Sequence, residues 1–271
     1  MADNLNSKES ERPWALVTGA SSGIGYEYTL LLAEKSYHLV TVSIEKEKLE
    51  TQAIEMRERF GVKVIPVCMD LAANNAAEEL YHYCSEQGIV VEVLINNAGF
   101  FFFGEAAEAS PELAEKKMVL HMMTPSLLCR HFGKDMKQRR SGHILNMSSI
   151  SAWMPYPGIA FYAATKGYVK SFSRSLRAEM IDYGVNVSCV CPGATATNLF
   201  DRDKLDYKKA MRWGIMMPAD RVARIGLQGM FRKKAVIIPG RINRITVFLV
   251  RLAWPGLILW IKRHTEIIPS E

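Results

Sequence analysis

The chain has 271 residues, of which 49% are hydrophobic and 23% charged. These values exclude a disordered chain, a collagen-like repeat and a coiled-coil rod, and they provide the apolar material for one large domain. The net charge of +6 is uneven: residues 221–271 hold ten Lys or Arg against two Glu, so the basic excess lies in the C-terminal region. No nucleic-acid-reading module accompanies that excess, and nucleic acid is not an expected partner. Five cysteines, an odd number without scaffold spacing, argue against a disulfide framework and for a reducing, cytoplasmic setting.

In chain order, residues 1–12 are polar, contain no apolar targeting segment and read as a short mobile arm. Apolar, β-branched runs of strand length follow at 15–18, 39–43, 62–68, 91–95, 143–147 and 185–190, with a shorter one at 235–238. Amphipathic stretches of helical length lie between them at 24–35, 46–59, 76–87, 111–138 and 160–183. Strands that are apolar throughout suit a parallel sheet covered on both faces. Their alternation with helices points to right-handed βαβ units. The expected fold is α/β: a doubly wound parallel sheet in a single domain over 13–240. A hydrophobic and basic tail, amphipathic in character, follows at 241–271.

The first strand leads into Thr18-Gly19-Ala20-Ser21-Ser22-Gly23-Ile24-Gly25, and a helix begins there. Glycines let a phosphate approach the backbone, and the helix N-terminus offers free N–H groups to a pyrophosphate. Between a first strand and a first helix, such a loop points to a dinucleotide rather than to a bare turn. The end of the second strand contacts the adenosine ribose, where an acid suits a 2′-hydroxyl and a base a 2′-phosphate. This chain has Ser43, Ile44 and Glu45 there, and the choice between NAD and NADP stays open.

Tyr162 and Lys166 are spaced i, i+4 in a helical run, one turn apart on one face. A neighbouring ammonium stabilises a phenolate and lowers its pKa, so Tyr162 can exchange a proton with a carbonyl or alcohol oxygen. Ser149, at the end of the fifth strand, can hydrogen-bond the same oxygen. The Cys189-Val-Cys191 spacing falls inside a predicted strand, lacks partner ligands and reads as core packing, with no metal site.

These residues make the sequence resemble the short-chain dehydrogenase/reductase family, over roughly residues 13 to 240. The carriers are the glycine loop, Asn96-Asn97-Ala98-Gly99, Ser149, Tyr162-x-x-x-Lys166 and Pro192-Gly193 with Thr195. The resemblance implies a Rossmann-type fold, NAD(P)H as cofactor, and reversible reduction of a carbonyl to an alcohol. It implies that Tyr162 is the acid–base, that Lys166 also holds the nicotinamide ribose, and that Ser149 orients the substrate oxygen. It further implies cofactor contacts from Gly19, Ser21, Ser22, Gly23, Ile24, Gly25, Ser43, Asp70, Leu71, Asn97, Ala98, Gly99, Pro192, Gly193 and Thr195. Asp70 matches the adenine contact, Thr195 the carboxamide contact, and Asn96 a support of the sheet centre. An oligomer is the family's usual state.

Two departures stand out. His121 occupies the position where the family places an Asn that links the lysine to bulk proton exchange; it reads either as a proton relay or as a packed helix histidine. Ser43-Ile44-Glu45 offers neither the usual acid nor the usual arginine.

Phe100-Phe101-Phe102-Phe103, together with Trp153, Met154, Tyr156, Phe200, Trp213, Met216 and Met217, predicts an apolar substrate pocket. The expected substrate is a small hydrophobic carbonyl or alcohol, steroid-like or long-acyl. In the tail, 241–263 is apolar apart from Arg and Lys residues and a few polar ones, and Pro255-Gly256 interrupts it. It reads either as short helices at a membrane surface or as a flap over the pocket or an oligomer contact. The reading as a whole is an NAD(P)-dependent oxidoreductase. Its rivals are a non-catalytic nucleotide sensor and a peripheral membrane protein on the same scaffold.

Overall fold

Seven parallel strands, in the order β3-β2-β1-β4-β5-β6-β9, form the sheet of the computed structural model, which describes residues 12–101, 103–154, 156–196 and 216–252. The strands are β1 (Trp14–Thr18), β2 (His38–Ser43), β3 (Val64–Cys68), β4 (Val91–Asn96), β5 (Gly142–Met147), β6 (Val185–Val190) and β9 (Val236–Ile237). A separate short pair joins β7 (Ala194–Ala196) to β8 (Met216–Pro218). The order reverses at β1, which pairs with β2 on one side and β4 on the other, so a crevice opens at the carboxyl ends of these strands.

The helices are α1 (Gly23–Glu34), α2 (Lys46–Phe60), α3 (Ala76–Glu86), α4 (Pro111–Met118), α5 (Thr124–Arg139), α6 (Ala160–Met180), α7 (Ala219–Phe231) and α8 (Arg241–Leu252). Strand residues alternate between two cores because successive side chains point to opposite faces. Ala15, Val17, Val93, Ile95 and Leu145 meet α1, α2 and α7, whereas Leu16, Leu94 and Ile144 meet α3, α5 and α6. This explains why the strands read as unbroken apolar runs. The α/β doubly wound expectation holds.

Three details differ from the sequence reading. The helix expected over 111–138 is divided by a π-helical turn, Val119–Met123. Pro125 has no N–H to give the carbonyl four residues back, and the chain widens there rather than stopping. Met216 and Met217, expected at the pocket, instead form β8 beside β7. Arg12, assigned to the arm, anchors on the Gly61 carbonyl at 2.7 Å. The rest of the arm, together with Phe102, Phe200, Trp213 and the tail beyond Leu252, lies outside the described residues.

Candidate active site

The crevice measures about 600 Å³ and runs from the first loop past β2, β4 and β5 to the segment after β6. Of the residues expected to contact the cofactor, all but Gly25 line it. Gly25 sits behind the loop against the Gly19 carbonyl, where a Cβ would collide with that backbone; its role is close packing. Gly19 has φ +64°, and a Cβ there would lie 2.9 Å from the Ala98 Cα. Only glycine fits this approach of the loop to β4. The Ser22 side chain makes no capping bond to α1, so the first-turn N–H groups at the crevice wall remain available to an anion. A glycine-lined approach to an uncapped helix N-terminus fits a pyrophosphate.

Asn97 and Thr18 brace this loop. The Asn97 amide donates to the Thr18 and Gly19 carbonyls at 3.0 and 3.2 Å. Thr18 Oγ1 accepts the Asn97 and Ala98 N–H groups at 2.9 and 3.0 Å. Asn97 therefore lines the crevice with its amide already engaged, and Thr18 is a support the sequence reading did not identify. Behind them Asn96 donates to Asn146 Oδ1 at 2.8 Å, pinning β4 to β5.

At the adenosine end, Ser21 Oγ lies 2.8 Å from Ser43 Oγ and donates to Glu45 Oε2 at 2.6 Å. Lys48 donates to the other Glu45 oxygen. These bonds, Lys48 first and then Ser21, lower the Glu45 carboxyl from its ordinary value and keep it ionised at neutral pH. Glu45 precedes the first residue of α2, yet its side chain turns back over the crevice. Asp70 accepts the Ala72 N–H at 3.0 Å and pairs with Lys116 at 3.2 Å, also on the crevice edge.

At the other end, Tyr162, Ser149 and Lys166 meet on one wall. Ser149 follows β5 and caps the 3₁₀ turn Ile150–Trp153, its Oγ accepting the Ser151 N–H at 3.1 Å, and it lines the crevice beside Tyr162. Ser148 fixes α6 by donating to the Lys166 carbonyl at 2.7 Å. The Lys166 ammonium donates to the Met147 carbonyl at 3.0 Å and stands 5.7 Å from the Tyr162 ring centroid. Burial lowers the Lys166 pKa to about 8. The sequence reading expects the ammonium to lower the phenol's pKa. Here burial pushes Tyr162 up and Ser149 pulls the other way, while Lys166 is not among the influences on the phenol. The arrangement holds a proton on Tyr162 and presents two hydroxyl groups to one point in the crevice.

His121, at the centre of the π turn, has both ring nitrogens engaged. Nε2 accepts the Phe100 N–H at 3.1 Å, and Nδ1 lies 3.1 Å from Thr165 Oγ1. Thr165 in turn donates to the Tyr162 carbonyl at 2.9 Å. Burial, with Lys166 and Lys117 nearby, pushes His121 well below the usual histidine range. A buried ring with both nitrogens engaged favours the packed-histidine alternative over the relay. The ring ties the loop after Gly99 to the helix that carries Tyr162. Behind it, a cavity of about 20 Å³ is lined by Asn96, His121, Thr124 and Lys166, room for one water. The buried Asn96 Oδ1 has no protein partner.

The aromatic expectation holds in part. Phe100, Phe101, Met154 and Tyr156 line the crevice, and Phe101 meets the Tyr162 ring edge-on with centroids 5.0 Å apart. Trp153 instead lies under the Lys170 ammonium, and Phe103 packs on Gly158. Ile44, Met69 and Ile159 also line it, none of them carried by a motif. Cys189 and Cys191 are buried with sulfurs 3.7 Å apart, and no metal-binding cluster occurs among the described residues.

A doubly wound sheet with an anion-ready loop at its switch point, facing a Tyr/Ser/Lys group, defines an oxidoreductase class. The short chain dehydrogenase profile matches residues 13–208. The very-long-chain 3-oxoacyl-CoA reductase of Anas platyrhynchos is 32% identical over 202 residues, which span 72% of this chain and 64% of that one. A short-chain dehydrogenase from Sphingobium yanoikuyae, solved with NADPH, superposes with TM-score 0.78 at 27% identity, covering 96% of this chain and 98% of that one. The bulky-bulky ketone specific alcohol dehydrogenase of Comamonas testosteroni superposes with TM-score 0.75 at 26% identity, covering 96% and 97%. The chain belongs to the short-chain dehydrogenase family, oxidoreductases of CH–OH and C=O groups.

Proposed function

We propose that this chain uses a nicotinamide dinucleotide to interconvert a bulky apolar ketone and its secondary alcohol. The observation that carries the reading is that Ser149, Tyr162 and Lys166 line one crevice with the glycine loop, the Lys166 ammonium 5.7 Å from the Tyr162 ring centroid. A bound nicotinamide would supply hydride for reduction and accept it for oxidation. The glycine loop and the α1 N-terminus would hold its pyrophosphate, and Ser43 with Glu45 the adenosine ribose.

The substrate oxygen accepts hydrogen bonds from Ser149 and Tyr162, which polarise the carbonyl. Tyr162 then gives its proton to that oxygen. Burial keeps the phenol protonated, which is the form reduction needs. The Lys166 ammonium stabilises the phenolate left behind, a charge that would be costly to hold alone in a buried site. Phe100, Phe101, Met154, Tyr156 and Ile159 exclude water and accept an apolar chain or ring system. The names of the two relatives with long-acyl and bulky-ketone substrates support the same class.

Ionised Glu45 at the ribose end favours a 2′-hydroxyl over a 2′-phosphate, so NADH is the expected partner. The test is titration of the protein with NADH and NADPH, followed by turnover of a panel of bulky ketones. Cofactor binding with ketone-dependent oxidation supports the reading; binding with no turnover on any ketone favours a nucleotide sensor.

A further inference from the structure

The outward face of α8 is apolar. Ile242, Ile245, Phe248, Leu249 and Leu252 are between 47% and 70% exposed. At about 100° per residue they fall within one arc of roughly 120°. Arg241, Arg244 and Arg251 are exposed on or beside that arc, and the helix holds no acid. A surface helix that only packs on a core turns a polar face outward. We propose that α8 docks on an anionic lipid surface and seats the mouth of the crevice against the bilayer.

Charge selects this occupant over the others. From Arg221 to Thr265 the sequence holds ten Lys or Arg and no Asp or Glu. A second copy meeting this face through its own α8 would set cations against cations. Residues 253–263 add Lys262 and Arg263 and no acid, so they bring no complementary charge either. Anionic headgroups satisfy the arginines while the apolar arc enters the acyl boundary, the pattern of an interfacial helix. The twelve described residues of α8 cover roughly 18 Å along the helix. No helix among the described residues is long and apolar enough to cross a membrane.

The placement links docking to the site. On the inner face of α8, Asn243 is buried against Gly193 and donates to the Pro239 carbonyl at 2.7 Å. The helix also packs on the 3₁₀ turn Ile150–Trp153. Gly193 and Ile150 line the crevice, so α8 backs two of its lining segments. Lys170, with its ammonium 4.0 Å from the Trp153 ring centroid, adds a cation and an indole at the same turn. A substrate dissolved in lipid then enters without crossing water. That entry route rests on the apolar-carbonyl reading; the docking does not.

The experiment sediments the full chain with phosphatidylcholine vesicles and with vesicles also containing phosphatidylserine, at low and high salt. The same samples are titrated with NADH and NADPH. The expected result is co-sedimentation with the anionic vesicles only, reversed by salt. Reversal of Arg241 and Arg251 to Glu weakens partition by roughly tenfold or more, and Phe248→Glu with Leu249→Glu abolishes it, with cofactor binding unchanged. The proposal is overturned if the chain stays in the supernatant, or if both variants partition like the parent. It is also overturned if the anionic vesicles leave the chain free while Phe248→Glu dissolves a dimer, which assigns the face to a second copy. Cofactor binding without vesicle binding refutes docking alone; vesicle binding without cofactor binding refutes the oxidoreductase reading alone.

Discussion

His121 Nδ1 stands 3.1 Å from Thr165 Oγ1, and through that hydroxyl the ring is tied to the Tyr162 carbonyl. Because Nε2 takes the Phe100 N–H, the ring is a neutral strut with its proton on Nδ1. The pH profile of kcat/KM is therefore expected to lack an inflection near about 6.5, the ordinary histidine value. His121→Ala is expected to lower kcat/KM about tenfold or more by loosening the Phe100 loop, with the profile's shape unchanged. An inflection near 6.5 that disappears in the variant would restore the proton relay.

Glu45 makes the cofactor preference testable. Its ionised carboxylate and Ser43 suit a ribose diol, and a 2′-phosphate would face a like charge. NADH is expected to bind at least about tenfold more tightly than NADPH. Glu45→Gln should narrow that gap chiefly by improving NADPH. Fluorescence titration of parent and variant with both cofactors decides it, and equal affinities in the parent would refute the assignment.

Lys166 links the site to stability. Burial lowers its pKa from 10.5 to about 8, so the folded state binds fewer protons than the unfolded chain between those values. Keeping the ammonium buried costs on the order of 3 kcal/mol below pH 8, and the cost fades as pH rises towards 10.5. Stability attributable to this residue therefore increases with pH across that window. Lys166→Met removes the cost together with the bond to Met147, so the stability difference between variant and parent should shift against the variant by a few kcal/mol from pH 7 to 10.5. Urea unfolding of both at several pH values measures it; a difference independent of pH would show that the amine is not strained by burial.

Most of the sheet is readable from sequence because a doubly covered parallel strand must be apolar on both faces. The glycine loop and the Tyr162/Lys166 spacing are local patterns, and the topology brings them to one edge. What escapes the sequence depends on long-range contacts. α7 is hard to read because its buried stripe mixes Val222, Leu227 and Met230 with Ala223, Gly226 and Gly229, which dilute the apolar pattern. Close packing on α1 requires this, since a Cβ at Gly226 would strike the Tyr28 hydroxyl. The π turn leaves one legible sign, Pro125. The neutral state of His121 needs Phe100 and Thr165 in place, and the raised Tyr162 pKa needs the whole crevice wall. The Glu45–Ser21 contact joins residues 24 apart, and nothing in the Ser43-Ile44-Glu45 spacing shows that the side chain turns back.

The central claim is that Tyr162 delivers the proton in ketone reduction. Tyr162→Phe keeps the ring against Phe101 and His121 and removes only the hydroxyl. The decisive measurement is ketone-dependent NADH oxidation by this variant, after NADH titration shows that it still binds cofactor. The account predicts unchanged NADH affinity and turnover lowered by about 10²- to 10⁴-fold. A variant that reduces ketones as fast as the parent would contradict it.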